Sequence, residues 1–169
     1  NILNGSRDVA KNKWASISPY IENFDCVGKT MDDLDEYCST NDVDILIIDQ
    51  LDKINVTGKY NDTHEKLREV YTQSRELAKR HNILVIGMSQ ASEEAQGRSR
   101  VTFSTMENSK TGKAAEADII LGIGKEDEAE NFMDDCVRFV TLSKNKLTGD
   151  HAEFEVILRP TISRYAERI

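Results

Sequence analysis

Three short, almost unbroken apolar runs constrain this chain most: DILII at Asp44 to Ile48, ILVIGM at Ile83 to Met88, and DIILGI at Asp118 to Ile123. A strand with one wet face alternates apolar and polar residues, so continuous Ile, Leu and Val of this length predict strands covered on both faces. Between the first two runs the period changes. From Asn61 to His81, residues Leu67, Val70, Tyr71, Ser74, Leu77 and Ala78 recur at three and four residues, which predicts an amphipathic helix. Asp62 with Glu65 resembles a capping box, and Lys79, Arg80 and His81 suit the negative end of the helix dipole. Thr30 to Ser39 predicts a second helix, with Met31, Leu34 and Cys38 on one face, and Phe24 to Val27 is a short strand candidate. In the last quarter, Val137 to Ser143 and Ala152 to Leu158 read as paired strands around Thr148-Gly149-Asp150. The result is an α/β fold: a mainly parallel, twisted sheet ending in an antiparallel strand pair.

Only two prolines and no Ser/Gly linker interrupt the 169 residues, so residues 1–169 are read as one domain. No apolar run approaches the roughly 18 residues that span a bilayer, which predicts no membrane association. The three cysteines, Cys26, Cys38 and Cys136, form no Cys-x-x-Cys pair and point to a reducing, cytoplasmic setting. A net charge of -8 taken alone disfavours a nucleic-acid partner, but the acids are concentrated. Eight lie between Asp32 and Asp52 and six between Glu126 and Asp135, leaving basic patches at Arg98 and Arg100, at Lys110 and Lys113, and at Lys144 and Lys146.

In parallel α/β sheets the chemistry lies beyond the carboxyl ends of the strands. After DILII comes Asp49, a carboxylate at a strand tip, which is either an ordinary strand cap or a group that acts on Mg²⁺ through water. After ILVIGM comes Ser89-Gln90, an amide placed to hydrogen-bond a terminal phosphate or an attacking water. The polar loop from Ala91 to about Asn108 follows, and a loop that long is usually functional or disordered. Trp14 and Tyr20 pack either on the sheet or on a neighbouring subunit.

The segments "DVDILIIDQLDKI", "ELAKRHNILVIGMSQ", "MENSKTGKAAEADIILGI", "VTLSKNKLTGDHAEFEVIL" and "ISRYAE" occur in that order. This order resembles the RecA-like (P-loop NTPase) motor domain of DnaB-type replicative helicases, phage primase-helicases included, over residues 24–167. RecA, RadA and KaiC proteins share parts of the same core. What the resemblance implies is an ATP-driven DNA helicase that uses ATP and Mg²⁺ and works on single-stranded DNA as a ring of identical subunits, a homohexamer, in the cytoplasm of a bacterial or phage-infected cell. Asp49 matches the Walker B acid and Gln90 the polar sensor. Thr105 to Lys113 matches the loop lining the ring's channel, making Asn108, Ser109, Lys110 and Lys113, with Arg98 and Arg100 nearby, candidates for DNA contact. Lys144 and Lys146 match a basic pair that reaches a neighbour's ATP site, although as lysines on a strand they also read as solvated edge charges. Where the family commonly has Arg, this chain has Lys146, a point charge without the bidentate fork; Glu107 likewise replaces an Arg.

The resemblance also implies a phosphate-binding loop, which needs Gly-x-x-x-x-Gly-Lys-Ser/Thr. Gly28-Lys29-Thr30 imitates its end, but Asn23 stands at the first glycine, and Thr30 reads instead as an N-cap with Asp33 three residues on. Thr111-Gly112-Lys113 fails too, because Glu107 replaces the glycine and Ala114 follows the lysine. The expectation is a RecA-like domain whose N-terminal part, with the phosphate loop, is missing here, and whose isolated chain has little or no ATPase activity. A recombination or regulatory ATPase core, or a non-catalytic scaffold of the same fold, stays open.

Overall fold

A computed structural model describes residues 2–105, 112–126 and 136–168. The chain opens with α1 (Ile2–Ile17), a helix the sequence reading did not predict. Trp14 and Tyr20 are 53% and 86% exposed, so neither is buried against a sheet of the described residues. Residues 21–26, which include most of the strand candidate Phe24 to Val27, form no strand; the nearest pairing is a single parallel bridge between Thr30 and Asn55.

Helix α2 (Met31–Thr40) begins as expected. The Thr30 hydroxyl accepts from the Asp33 N–H at 3.3 Å, while the Asp33 carboxylate accepts from the Thr30 N–H at 2.8 Å, closing a capping box. Strand β1 (Ile45–Ile48) follows, then α3 (Thr63–His81), capped by Asp62 and ended by Asn82 in the left-handed conformation, then β2 (Leu84–Gly87). β1 and β2 pair in parallel, Ile45 opposite Leu84 and Ile48 opposite Gly87.

Helices α2 and α3 cover one face of this pair, where Ile48 joins Leu34, Val70 and Leu77 in the core and Leu46 and Val85 pack against it. The other face is bare. Ile45 is 54% exposed, Ile47 60%, Leu84 55% and Ile86 40%, so the expectation of strands buried on both sides is corrected. Unbroken apolar sequence makes a strand fit for two covers, but burial needs a second layer, and the described residues supply only one.

After α4 (Gly112–Glu116), β3 (Ile119–Gly124), β4 (Val137–Asn145), β5 (Glu153–Arg159) and β6 (Arg164–Glu167) form an antiparallel sheet in chain order. Among the described residues, parallel pairing between strands is therefore confined to β1 and β2, beside the single Thr30–Asn55 bridge, and the antiparallel part extends beyond the expected C-terminal pair because β3 runs antiparallel to β4. The long polar loop after Gln90 is folded onto this sheet. The Ser92 N–H donates to the Thr105 carbonyl at 2.8 Å, closing the loop on itself, and the Phe103 N–H donates to the Ser143 hydroxyl at 2.8 Å. Gly122 and Gly124 admit it: a Cβ there would lie 1.9 Å from the Val101 carbonyl oxygen and 2.0 Å from that of Ser99.

Candidate functional site

The tips of β1 and β2 lie side by side. The Met88 N–H donates to the Ile48 carbonyl at 3.0 Å and the Leu51 N–H to the Met88 carbonyl at 2.8 Å, which fixes the turn after β1 against the end of β2. Asp49 leaves β1 at this end and is exposed, and Gln90, beyond β2, is exposed too. Between Asp49 and the following turn, Gln50 takes a left-handed conformation, φ 60°, uncommon for a residue with a Cβ and characteristic of strained positions near sites. One exposed carboxylate suits Mg²⁺, which keeps several waters and takes few protein ligands alongside phosphate oxygens. Among the described residues no group of three or more His, Cys, Asp or Glu could hold a metal by itself.

Beneath these tips lies a partly buried polar cluster. Asp52, three residues past Asp49, accepts from the Tyr71 hydroxyl at 2.9 Å and from the Ser89 hydroxyl at 2.7 Å, and its Oδ1 lies 2.8 Å from the Lys113 ammonium. Lys113 is 0% exposed, and its ammonium also stands 5.4 Å from the centre of the Tyr71 ring. Burial pushes the Tyr71 phenol far above its ordinary range, so it stays protonated as a donor. The family resemblance sets Lys113 against DNA. In this arrangement its charge is instead neutralised inside the fold, because an unpaired buried ammonium would carry a large desolvation penalty.

The remaining expected residues fall into two places. Arg98 and Arg100 are exposed and line an open cleft with Ser99, Thr102 and Ser104, and the Arg100 Nε lies 3.7 Å from the Glu153 carboxylate. Lys144 and Lys146, on and just past β4, turn onto the end of α4. Lys144 donates to the Ala114 carbonyl, and Lys146 to that of Ala115 at 2.9 Å, while lying 3.4 Å from Asp118. Cations at a helix C-terminus satisfy its unpaired carbonyls. Burial lowers the Lys144 pKa, and the neighbouring charge of Lys146 adds to the effect. Asn108, Ser109 and Lys110 lie outside the described residues.

Gly28-Lys29-Thr30 makes no phosphate cradle. The Lys29 N–H closes a turn on the Cys26 carbonyl at 3.0 Å, the Thr30 hydroxyl serves the capping box, and the Lys29 ammonium lies 3.6 Å from Asp33. The sequence reading missed Asp52, Tyr71 and Ser89 as a group. Its only sequence signal was an acid on the same turn as Asp49 and a hydroxyl beside Gln90.

Taken together, the helix-covered parallel pair and the antiparallel extension make an α/β domain with polar groups at its strand tips, a fold similar to that of solved helicase and ATPase domains. No protein-family model matches the sequence, and no curated protein does. Solved structures do match in fold. A DnaB-like replicative helicase, described together with its interactions with primase, aligns at TM-score 0.71 and 16% identity, over 83% of this chain and 35% of that one. A second structure, solved as an ATPase domain, aligns at TM-score 0.71 and 15% identity, over 83% of this chain and 52% of that one. The chain thus spans about a third and about half of these two neighbours.

Proposed function

We propose that this chain is the distal part of the motor domain of a ring-forming, ATP-driven DNA helicase. The observation that carries the reading is the placement of Asp49 and Gln90 at adjacent strand tips, on one end of the parallel pair, in a fold shared with a replicative helicase and with an ATPase domain. Asp49 would hold Mg²⁺ through water, and Gln90 would contact the terminal phosphate. The metal, when bound with ATP, supplies charge neutralisation at the phosphates. Arg98 and Arg100, exposed in one cleft, would contact the backbone of single-stranded DNA, together with Asn108, Ser109 and Lys110. Lys146 keeps part of its surface exposed at the α4 end, which leaves it able to face a neighbouring subunit.

The bare apolar face of β1 and β2 supports the view that a further layer belongs on this sheet. The coding region upstream tests the reading. A Gly-x-x-x-x-Gly-Lys-Ser/Thr followed by a strand ending in glutamate supports the motor; its absence removes the ATPase assignment and leaves a scaffold of RecA fold.

A further inference from the structure

Lys113 heads the largest fully buried side chains of the described residues, yet it carries a charge. A methionine or leucine would hold α4 on α3 without the cost of desolvating an ammonium and a carboxylate. The ionic version adds direction, because hydrogen bonds to charged groups need defined distances and angles. Those bonds converge from separate elements. Asp52 comes from the turn after Asp49, Ser89 from the tip of β2 beside Gln90, Tyr71 from α3 and Lys113 from α4, and the Lys113 ammonium also donates to the Ser89 hydroxyl at 3.5 Å.

We propose that the Lys113–Asp52 pair is a latch that fixes α4 relative to the two strand tips, so that Lys113 is a positioning residue and not a nucleic-acid contact. A shift of the β1 tip moves Asp52, so that α4 has to follow or leave an ammonium buried without its counterion, and a shift of the β2 tip moves Ser89, which is hydrogen-bonded to both charged groups. The inference rests on the motor reading. Under it, the latch ties the tips carrying Asp49 and Gln90 to the helix that directly follows the DNA-facing segment in sequence.

The test compares this chain with Lys113→Met, Asp52→Asn and the double variant, by hydrogen exchange and by binding of a fluorescent oligo-dT. Lys113→Met is expected to speed exchange about tenfold in both residues 112–118 and residues 88–91, with β5 and β6 unchanged. The double variant removes both charges, so its thermal midpoint returns toward the parent value. Its exchange at both places stays fast, and its oligonucleotide affinity stays about tenfold below the parent. A pair that only stabilises would recover exchange and affinity together with the midpoint, and that result overturns the latch, as does unchanged exchange at 88–91 in Lys113→Met. If the parent chain binds no oligonucleotide while exchange at the two places remains coupled, the latch stands and the DNA-binding part of the motor reading fails.

Discussion

The Nε2 of His81 lies 2.7 Å from the Oδ1 of Asp35, joining the last residue of α3 to the middle of α2, and Arg80 pairs with the other carboxylate oxygen. Chiefly this hydrogen bond from His81 holds the Asp35 carboxyl below its usual range, against the opposing effect of burial and with the Arg80 guanidinium adding. A carboxylate whose folded pKa is depressed contributes stability above its unfolded pKa, about 4, and loses that contribution as pH falls through the folded value. The acid-side loss of stability should therefore be shallower in Asp35→Asn than in the parent when urea midpoints are followed from neutral pH to below about pH 4. Identical slopes would mean the contact contributes nothing.

Asp52 gathers a phenol, a hydroxyl and a buried ammonium on one carboxylate. Asp52→Ala leaves Lys113 charged and buried without its counterion, a change expected to cost about 3 to 5 kcal/mol in equilibrium denaturation. A loss below about 1 kcal/mol, the size of a surface pair, would mean that water reaches the ammonium.

At Gly122 the loop carbonyl of Val101 occupies the space a side chain needs. Gly122→Ala must push the loop off β3 or distort the strand, with an expected loss of about 1 to 3 kcal/mol. The same loop carries Arg98 and Arg100, so if these residues contact DNA as proposed, affinity for single-stranded DNA should fall with it. Stability equal to the parent would show that the loop does not rest on β3.

Ile47 and Ile86 face outward from opposite positions in the parallel pair, 60% and 40% exposed. Contiguous apolar surface of this kind drives association. The double variant Ile47→Ser/Ile86→Ser should reduce self-association of this chain by light scattering, with stability within about 0.5 kcal/mol of the parent for each change. A large loss of stability would mean that this face is covered within the chain.

These residues also mark how far the sequence could be read. Strands β1 to β5, helices α2 and α3 and their caps were legible because they depend on local period and on neighbours such as Thr30 with Asp33, whereas α1 was not, and the strand expected over Phe24 to Val27 does not form. Asp49 and Gln90 were legible as strand-tip residues for the same reason. The bare face was not, since Ile45 and Ile47 carry the same apolar signal whether or not a second layer exists. Nor was the Asp52–Lys113 pair: Lys113 sits in a Thr-Gly-Lys stretch typical of an exposed loop, and its burial follows from α4 packing on α3, a contact between distant parts of the chain. Lys144 and Lys146 were visible as a basic pair, but their grip on the α4 carbonyls depends on how β4 pairs with β3.

Under the proposed function, Asp49 serves a nucleotide-hydrolysing site. The most direct test is ATP hydrolysis by the product of the gene that encodes this chain, with Mg²⁺, with and without single-stranded DNA, compared with its Asp49→Ala variant. If Asp49 holds Mg²⁺ as proposed, its loss is expected to lower DNA-stimulated hydrolysis by about a hundredfold or more while the thermal midpoint stays near that of the parent, since Asp49 is exposed. Hydrolysis unchanged by Asp49→Ala would mean that Asp49 has no part in a nucleotide site.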